Sequence, residues 1–275
     1  MIKVGMSTSC VFPESIATAF GMAKQAGFDG VEVMITQDPV TRDAERLLAL
    51  SHEYGMPILS VHAPVLLLTQ LVWGTDPRRK LERSAELAAA VGASTVVVHP
   101  PFRWQPKYGR TFLDAVATIS KASGVEIAVE NMFTWQVRER EVKVYAPGWD
   151  PTTFDCDAVT LDFSHAALSG RDSLEMAREL GSRLRHVHLC DGAAQPGDGR
   201  IFDEHLVPGT GRQPVAETLR LLTDGGWSGS IVAEVNTHGA GDREARLDML
   251  RQTLAFARRH TAPATRAVPS SSTAR

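Results

Sequence analysis

The sequence predicts one closed barrel of eight alternating strands and helices, a single-domain (β/α)8 fold over residues 1 to 260. Three observations carry this. Short runs rich in Val and Ile alternate eight times with stretches of helical periodicity, the pattern of a parallel sheet covered on both faces. Glycine stands between helix and strand at Gly27, Gly55, Gly92, Gly124, Gly181 and Gly226, where a left-handed residue ends a helix. Six strands deliver a residue able to bind metal or move a proton: His62, His99, Glu130, Asp162, His188 and Glu234. All six fall at the C-terminal ends of their strands, where barrels of this kind place their active sites.

Taken in order, Val4 to Ser7 reads as the first strand, and Pro13 and Glu14 open a helix with Ile16, Phe20 and Ala23 on one face. Val31 to Ile35 follows, then a helix over 41–54 and a third strand, Ile58 to His62. The loop 64–73 is apolar enough to fold over a site. Asp76-Pro77 is an N-cap with proline at N1, opening a helix that runs to Gly92. Strands 95–99 and 126–130 flank a helix over 112–123. Residues 134–150, rich in Arg, Glu and Trp, break the rhythm as an insertion over the site. Strand 158–163, helix 172–180 and strand 184–189 lead to a Gly-rich loop, 191–212. A helix over 214–223, strand 230–235 and helix 242–260 close the chain. The tail 261–275, rich in Ala, Ser, Thr and Pro, lacks apolar periodicity and is expected to be disordered.

The chain has 275 residues, 43% of them apolar, enough for a large core. A net charge of -3 with interspersed signs advertises neither a nucleic-acid nor a membrane surface. Cys10, Cys156 and Cys190 give no disulfide framework and suggest a reducing compartment. With no signal-like start and no apolar run of about 18 residues, a cytoplasmic protein is expected; whether it is a homo-oligomer stays open.

A lone strand-end histidine is more often structural, and a lone Asp there is often the next helix's N-cap. Six such groups at one rim are different: burying them without a counter-ion would be prohibitively costly, and a cation resolves the cost. His186 and His188 are two apart, so both point into the barrel, with His188 nearer the rim and His186, one layer deeper, a satisfied core histidine or a supporting partner. Asp162 and His165 follow a D-x-x-H spacing. Asp203-Glu-His205 precedes Leu206-Val-Pro-Gly209-Thr-Gly211 and offers a further pair. Carboxylate oxygen and imidazole nitrogen without thiolate suit Mn²⁺, Zn²⁺, Co²⁺ or Fe²⁺. Cys190 alternates to the face opposite His188 and is expected to pack against the helices. Trp104 and Trp135 offer flat apolar faces for a sugar, and specificity is expected from loops 64–75, 102–110, 133–150 and 192–204.

These residues resemble the xylose-isomerase-like TIM barrel superfamily, over essentially the whole barrel. It holds both sugar and sugar-phosphate isomerases/epimerases and abasic-site nucleases of the endonuclease IV type (AP endonuclease family 2). The resemblance implies one divalent metal held by Glu130, Asp162, His188 and Glu234. In the isomerase branch it implies that Glu130 and Glu234 are also the catalytic acid/base pair, moving a proton alpha to a carbonyl. The nuclease type uses three zinc ions, and its nine ligands have counterparts in those four plus His62, His99, His165, Asp203 and His205. Departures favour the isomerase branch: Asp162-Phe-Ser-His165 where nucleases have D-T-C-H, His188-Leu-Cys-Asp191 preceded by a second histidine, His99-Pro-Pro101 for a His-Gly pair, and Val65 in place of a DNA-opening aromatic. The expected function is therefore a metal-dependent isomerase or epimerase acting on a small sugar or sugar phosphate. The alternative is an abasic-DNA phosphodiesterase, and behind both stands an inosose dehydratase-type lyase. His165 is expected to contact substrate if one metal binds and to ligate if three do.

Overall fold

The computed structural model describes residues 2–65, 69, 71–137, 140–194 and 203–262. The tail from 263 onward and the centre of the apolar loop 64–73 lie outside the described residues. Eight parallel strands form the barrel: β1 (Lys3–Ser7), β2 (Gly30–Met34), β3 (Ile58–His62), β4 (Thr95–Val98) and β5 (Glu126–Glu130), then, after a hairpin of β6 (Trp135–Val137) and β7 (Arg140–Val142), β8 (Val159–Asp162), β9 (Leu184–Leu189) and β10 (Ser230–Ala233). β1 pairs with both β2 and β10, so the sheet has no edge. The helices around it are α1 (Ile16–Ala26), α2 (Ala44–Tyr54), α3 (Pro77–Val91), α4 (Pro106–Ser123), α5 (Phe163–Leu168), α6 (Ser173–Leu180), α7 (Val215–Asp224) and α8 (Arg243–Thr261).

The expected (β/α)8 architecture is the one observed. Gly27 has φ 91° and its N–H closes α1 on the Ala23 and Lys24 carbonyls, as helix-ending glycines do. Several boundaries shift for local reasons. α1 begins at Ile16, because the Ser15 hydroxyl caps Thr18 N while a 3₁₀ turn, Thr8–Val11, occupies the chain before it. α4 starts six residues earlier than expected, with Pro106 in its first turn, where the missing N–H costs nothing. The 134–150 stretch begins as the β6–β7 hairpin and returns through an antiparallel bridge between Phe102 and Tyr145. Thr261, assigned to the tail, is the last residue of α8.

Residues alternate along each strand. Val31, Val33, Val187 and Leu189 are buried in the apolar core, while Glu32, Ser60, His186 and His188 meet inside the barrel. At the opposite end of the barrel Gly5 and Gly30 pair in register, and Leu59 fills the space their missing side chains leave. A Cβ on Gly30 would stand 2.5 Å from the Pro57 carbonyl oxygen and 2.7 Å from Leu59 Cγ. The first of these is backbone and cannot swing away. Gly30→Ala is therefore expected to destabilise the barrel by about 1–3 kcal/mol, read as a lower denaturant midpoint at unchanged slope; an unaltered midpoint would contradict the packing.

Candidate active site

Four buried groups converge at the C-terminal mouth. His188, in β9, sets its Nδ1 2.8 Å from Glu130 Oε1, 2.9 Å from Glu234 Oε2 and 3.8 Å from Asp162 Oδ2. One donor atom from each of these four residues lies within 4.8 Å of the others, close enough to share one ion. Asp162 serves two purposes. Its Oδ1 accepts the His165 N–H at 2.7 Å and so caps α5, leaving Oδ2 for the centre.

The other expected histidines surround this group. His62 donates through Nδ1 to the Ala63 carbonyl at 2.8 Å, which turns Nε2 toward Glu130 Oε2 at 3.4 Å. His99 Nε2 lies 2.9 Å from the same oxygen. His165 donates Nδ1–H to the Asn131 carbonyl at 2.9 Å and faces Asp203 Oδ2 through Nε2 at 3.0 Å. His205 Nε2 stands 3.5 Å from Asp162 Oδ2. His62, His99 and Glu130 form a second group of metal-ligating spacing, and Asp162, His165 and His205 a third.

Three contributors escaped the sequence reading. Glu32, in β2, accepts from His188 Nε2 at 3.0 Å and from Ser60 Oγ at 2.7 Å, with His186 Nε2 at 3.3 Å. A carboxylate between two valines of an apolar strand was its only signal. By holding Nε2–H it fixes which nitrogen of His188 faces the centre. Glu32→Gln is expected to weaken divalent-metal binding about 10–100-fold, measured by competition with a chromogenic chelator; unaltered affinity would show that Glu32 does not orient His188. Asn131 clamps β5 to β8 through both backbone groups of Asp162. Asp191 accepts N–H bonds from Gly192, Gly209, Gly211 and Gln213 and so shapes the loop that carries Asp203 and His205.

At Glu32, Glu130, Glu234 and the histidines burial opposes charge, yet mutual attraction prevails at most of them. Against burial, the Glu234, Glu130 and Glu32 carboxylates hold His188 well above the usual imidazole range. Likewise, against burial, the Asp162 charge and the Asp203 hydrogen bond bring His165 up to about 10. Glu234, which burial alone would raise, is brought down to about 2 by His188. At His99 burial wins and favours the neutral ring. Cys190 is buried in the apolar core as expected, and its Sγ in addition lies 3.5 Å from Asp162 Oδ2. Burial pushes that thiol far up, so it is a hydrogen-bond donor and not a nucleophile.

The donor set fits a divalent cation. Buried carboxylates converge, no thiolate takes part, and Glu130 Oε2 and His205 Nε2 are buried without a hydrogen-bond partner among the described residues. The centre opens into a cavity of about 770 Å³. Its walls differ from expectation. Trp104 stacks on Phe102 with centroids 4.2 Å apart and Trp135 packs edge-on to Phe102, in an aromatic cluster with Met132 and Tyr145; neither tryptophan lines the cavity. Val65, Thr69 and Asp203 represent the expected specificity loops, whereas most of the wall comes from the loops after β1, β2 and β10. Among the described residues no lysine or arginine lines it.

The family described as xylose isomerase-like TIM barrel matches residues 20–260. An uncharacterized protein of Mycobacterium tuberculosis (strain ATCC 25618 / H37Rv) is 45% identical over 278 residues, covering 94% of this chain and 98% of its own. Fructoselysine 3-epimerase of Escherichia coli O157:H7 is 22% identical over 259 residues, covering 86% of this chain and 91% of its own. The crystal structure of a D-tagatose 3-epimerase-like protein superposes with a TM-score of 0.67 at 22% identity, covering 95% of this chain and all of the other, a likeness of fold.

Proposed function

The chain belongs to the xylose isomerase-like TIM barrel family, and from that premise we propose that it is a divalent-metal-dependent sugar epimerase or isomerase. The observation that carries this is the pair Glu130 and Glu234, 2.8 and 2.9 Å from His188 Nδ1, in the lining of a cavity of substrate size. The epimerase names of the distant relatives point the same way.

Glu130, Asp162, His188 and Glu234 would hold the ion. When bound, such an ion polarises the carbonyl and hydroxyl oxygens and stabilises the enediolate's charge. The chain's own groups do the proton work. One glutamate, as carboxylate, takes the proton from the carbon next to the carbonyl. The other, as carboxylic acid, returns a proton to the opposite face, and exchange between the two resets the pair. Ser9 Oγ, 3.1 Å from Glu234 Oε1, orients that carboxylate, and His188 Nδ1, 2.8 Å from Glu130 Oε1, does the same for Glu130. His165 gives both ring N–H groups to the Asn131 carbonyl and the Asp203 carboxylate, which fixes its ring at the cavity wall.

The test is proton exchange. Metal-reconstituted protein in D₂O with a panel of ketoses is expected to wash deuterium into the position alpha to the carbonyl, followed by NMR. No exchange with any ketose would remove the proposal. Three of the four ligand groups, those that include Glu130 or Asp162, favour a second reading, a trinuclear phosphodiesterase on abasic DNA. The absence of lysine and arginine from the described wall counts against it, because DNA affinity rests on neutralising phosphates with such side chains. Nicking of an abasic duplex by the same preparation would decide for it.

A further inference from the structure

We propose that the substrate is an uncharged ketose carrying a second ring-sized group, and that this group occupies the half of the cavity walled by the loops after β1, β2 and β10. The proposal rests on the epimerase reading and adds its substrate class. Volume is the first argument. Even at the ~30 Å³ that each molecule takes in liquid water, the twelve non-hydrogen atoms of a free hexose would fill roughly 360 Å³. That is under half of the 770 Å³ present. Glu130 and Glu234 fix where the reacting ring must sit, so the unused space lies to one side of it.

The chemistry of that side is the second argument. Phe12 leaves 60% of its surface exposed at the cavity wall, edge-on to His238 with centroids 5.8 Å apart, and Ile16 and Met34 extend the apolar surface. An exposed phenyl plate suits the C–H face of a second ring. Beside it the Gln37 amide and Asn236 Nδ2 have no hydrogen-bond partner among the described residues, and they can serve hydroxyl groups. The acidic groups there are engaged: Arg246 binds Glu14, and Asp38 caps Val40 N. With no lysine or arginine in the described wall, a phosphate ester is poorly served.

The experiment is calorimetric titration of the metal-loaded protein with D-fructose, D-fructose 6-phosphate and three fructose disaccharides linked through O1, O4 and O6 (inulobiose, lactulose, isomaltulose). At least one disaccharide is expected to bind about tenfold tighter than fructose. In Phe12→Ala, a change at an exposed position, that preference should shrink several-fold. Fructose binding as tightly as all three disaccharides, a phosphate ester binding tightest, or a preference indifferent to Phe12→Ala would each overturn the proposal. Deuterium exchange on the sugar that binds best reads the epimerase assignment separately. A disaccharide preference without exchange leaves the cavity assignment standing and removes the epimerase.

Discussion

Glu234→Gln is expected to lower ketose turnover by about a thousandfold or more while the barrel stays folded. Glutamine keeps the shape and the acceptor for Ser9 Oγ, so the contact with the turn after β1 changes little. It loses the proton-transfer function and the anionic oxygen that faces His188 Nδ1 at 2.9 Å. Two causes could therefore lower the rate, and metal titration separates them. A residue that only holds metal should recover most of its activity when metal is saturating, and Asp162→Asn is the comparison. A residue that moves the proton should not recover. If Glu234→Gln returns to within tenfold of the parent at saturating metal, Glu234 is not half of an acid/base pair.

Removing the metal should make stability depend on pH in a way that the loaded protein does not. Without metal, His165 sits at about 10 against an ordinary 6.5, so its contribution is fully present below pH 6.5 and is lost as pH rises through 10. Glu234 sits at about 2 against 4.5, so its contribution is present above pH 4.5 and is lost as pH falls through 2. The stripped chain is thus expected to be most stable between about pH 5 and 6.5 and to lose melting temperature steadily toward pH 9. Metal competes with protons for the same imidazoles, so its affinity runs the opposite way and its binding releases protons. At about a hundredfold excess over Kd, loading should raise Tm by roughly 5–10 °C, with a larger increment at pH 8 than at pH 6. Scanning calorimetry of stripped and loaded samples across this range checks both trends. An increment that shrinks as pH rises would contradict imidazole ligation. Metal analysis of the loaded sample also counts ions: one per chain fits the four-residue centre, and three would bring His62, His99, His165, Asp203 and His205 into service.

The sequence by itself determined the barrel and the strand-end residues of its rim. Strand alternation is local, and helix-ending glycines are local, so eight βα units could be counted before any contact was known. Inward pointing of His186 and His188 followed from the same period-two rule. Tertiary structure decided what those residues do to one another. Glu32 is separated from His188 by 156 residues and meets it only because the sheet closes. Asp162 is at once a helix cap and a member of the centre, two readings that looked like rivals along the chain. Trp104 and Trp135 had the right chemistry for a sugar, yet they pack with Phe102 and Tyr145, and the cavity opens instead toward Phe12, Met34 and His238. Loop paths of this kind depend on which neighbours bury which faces, a sum over distant contacts that no local pattern contains.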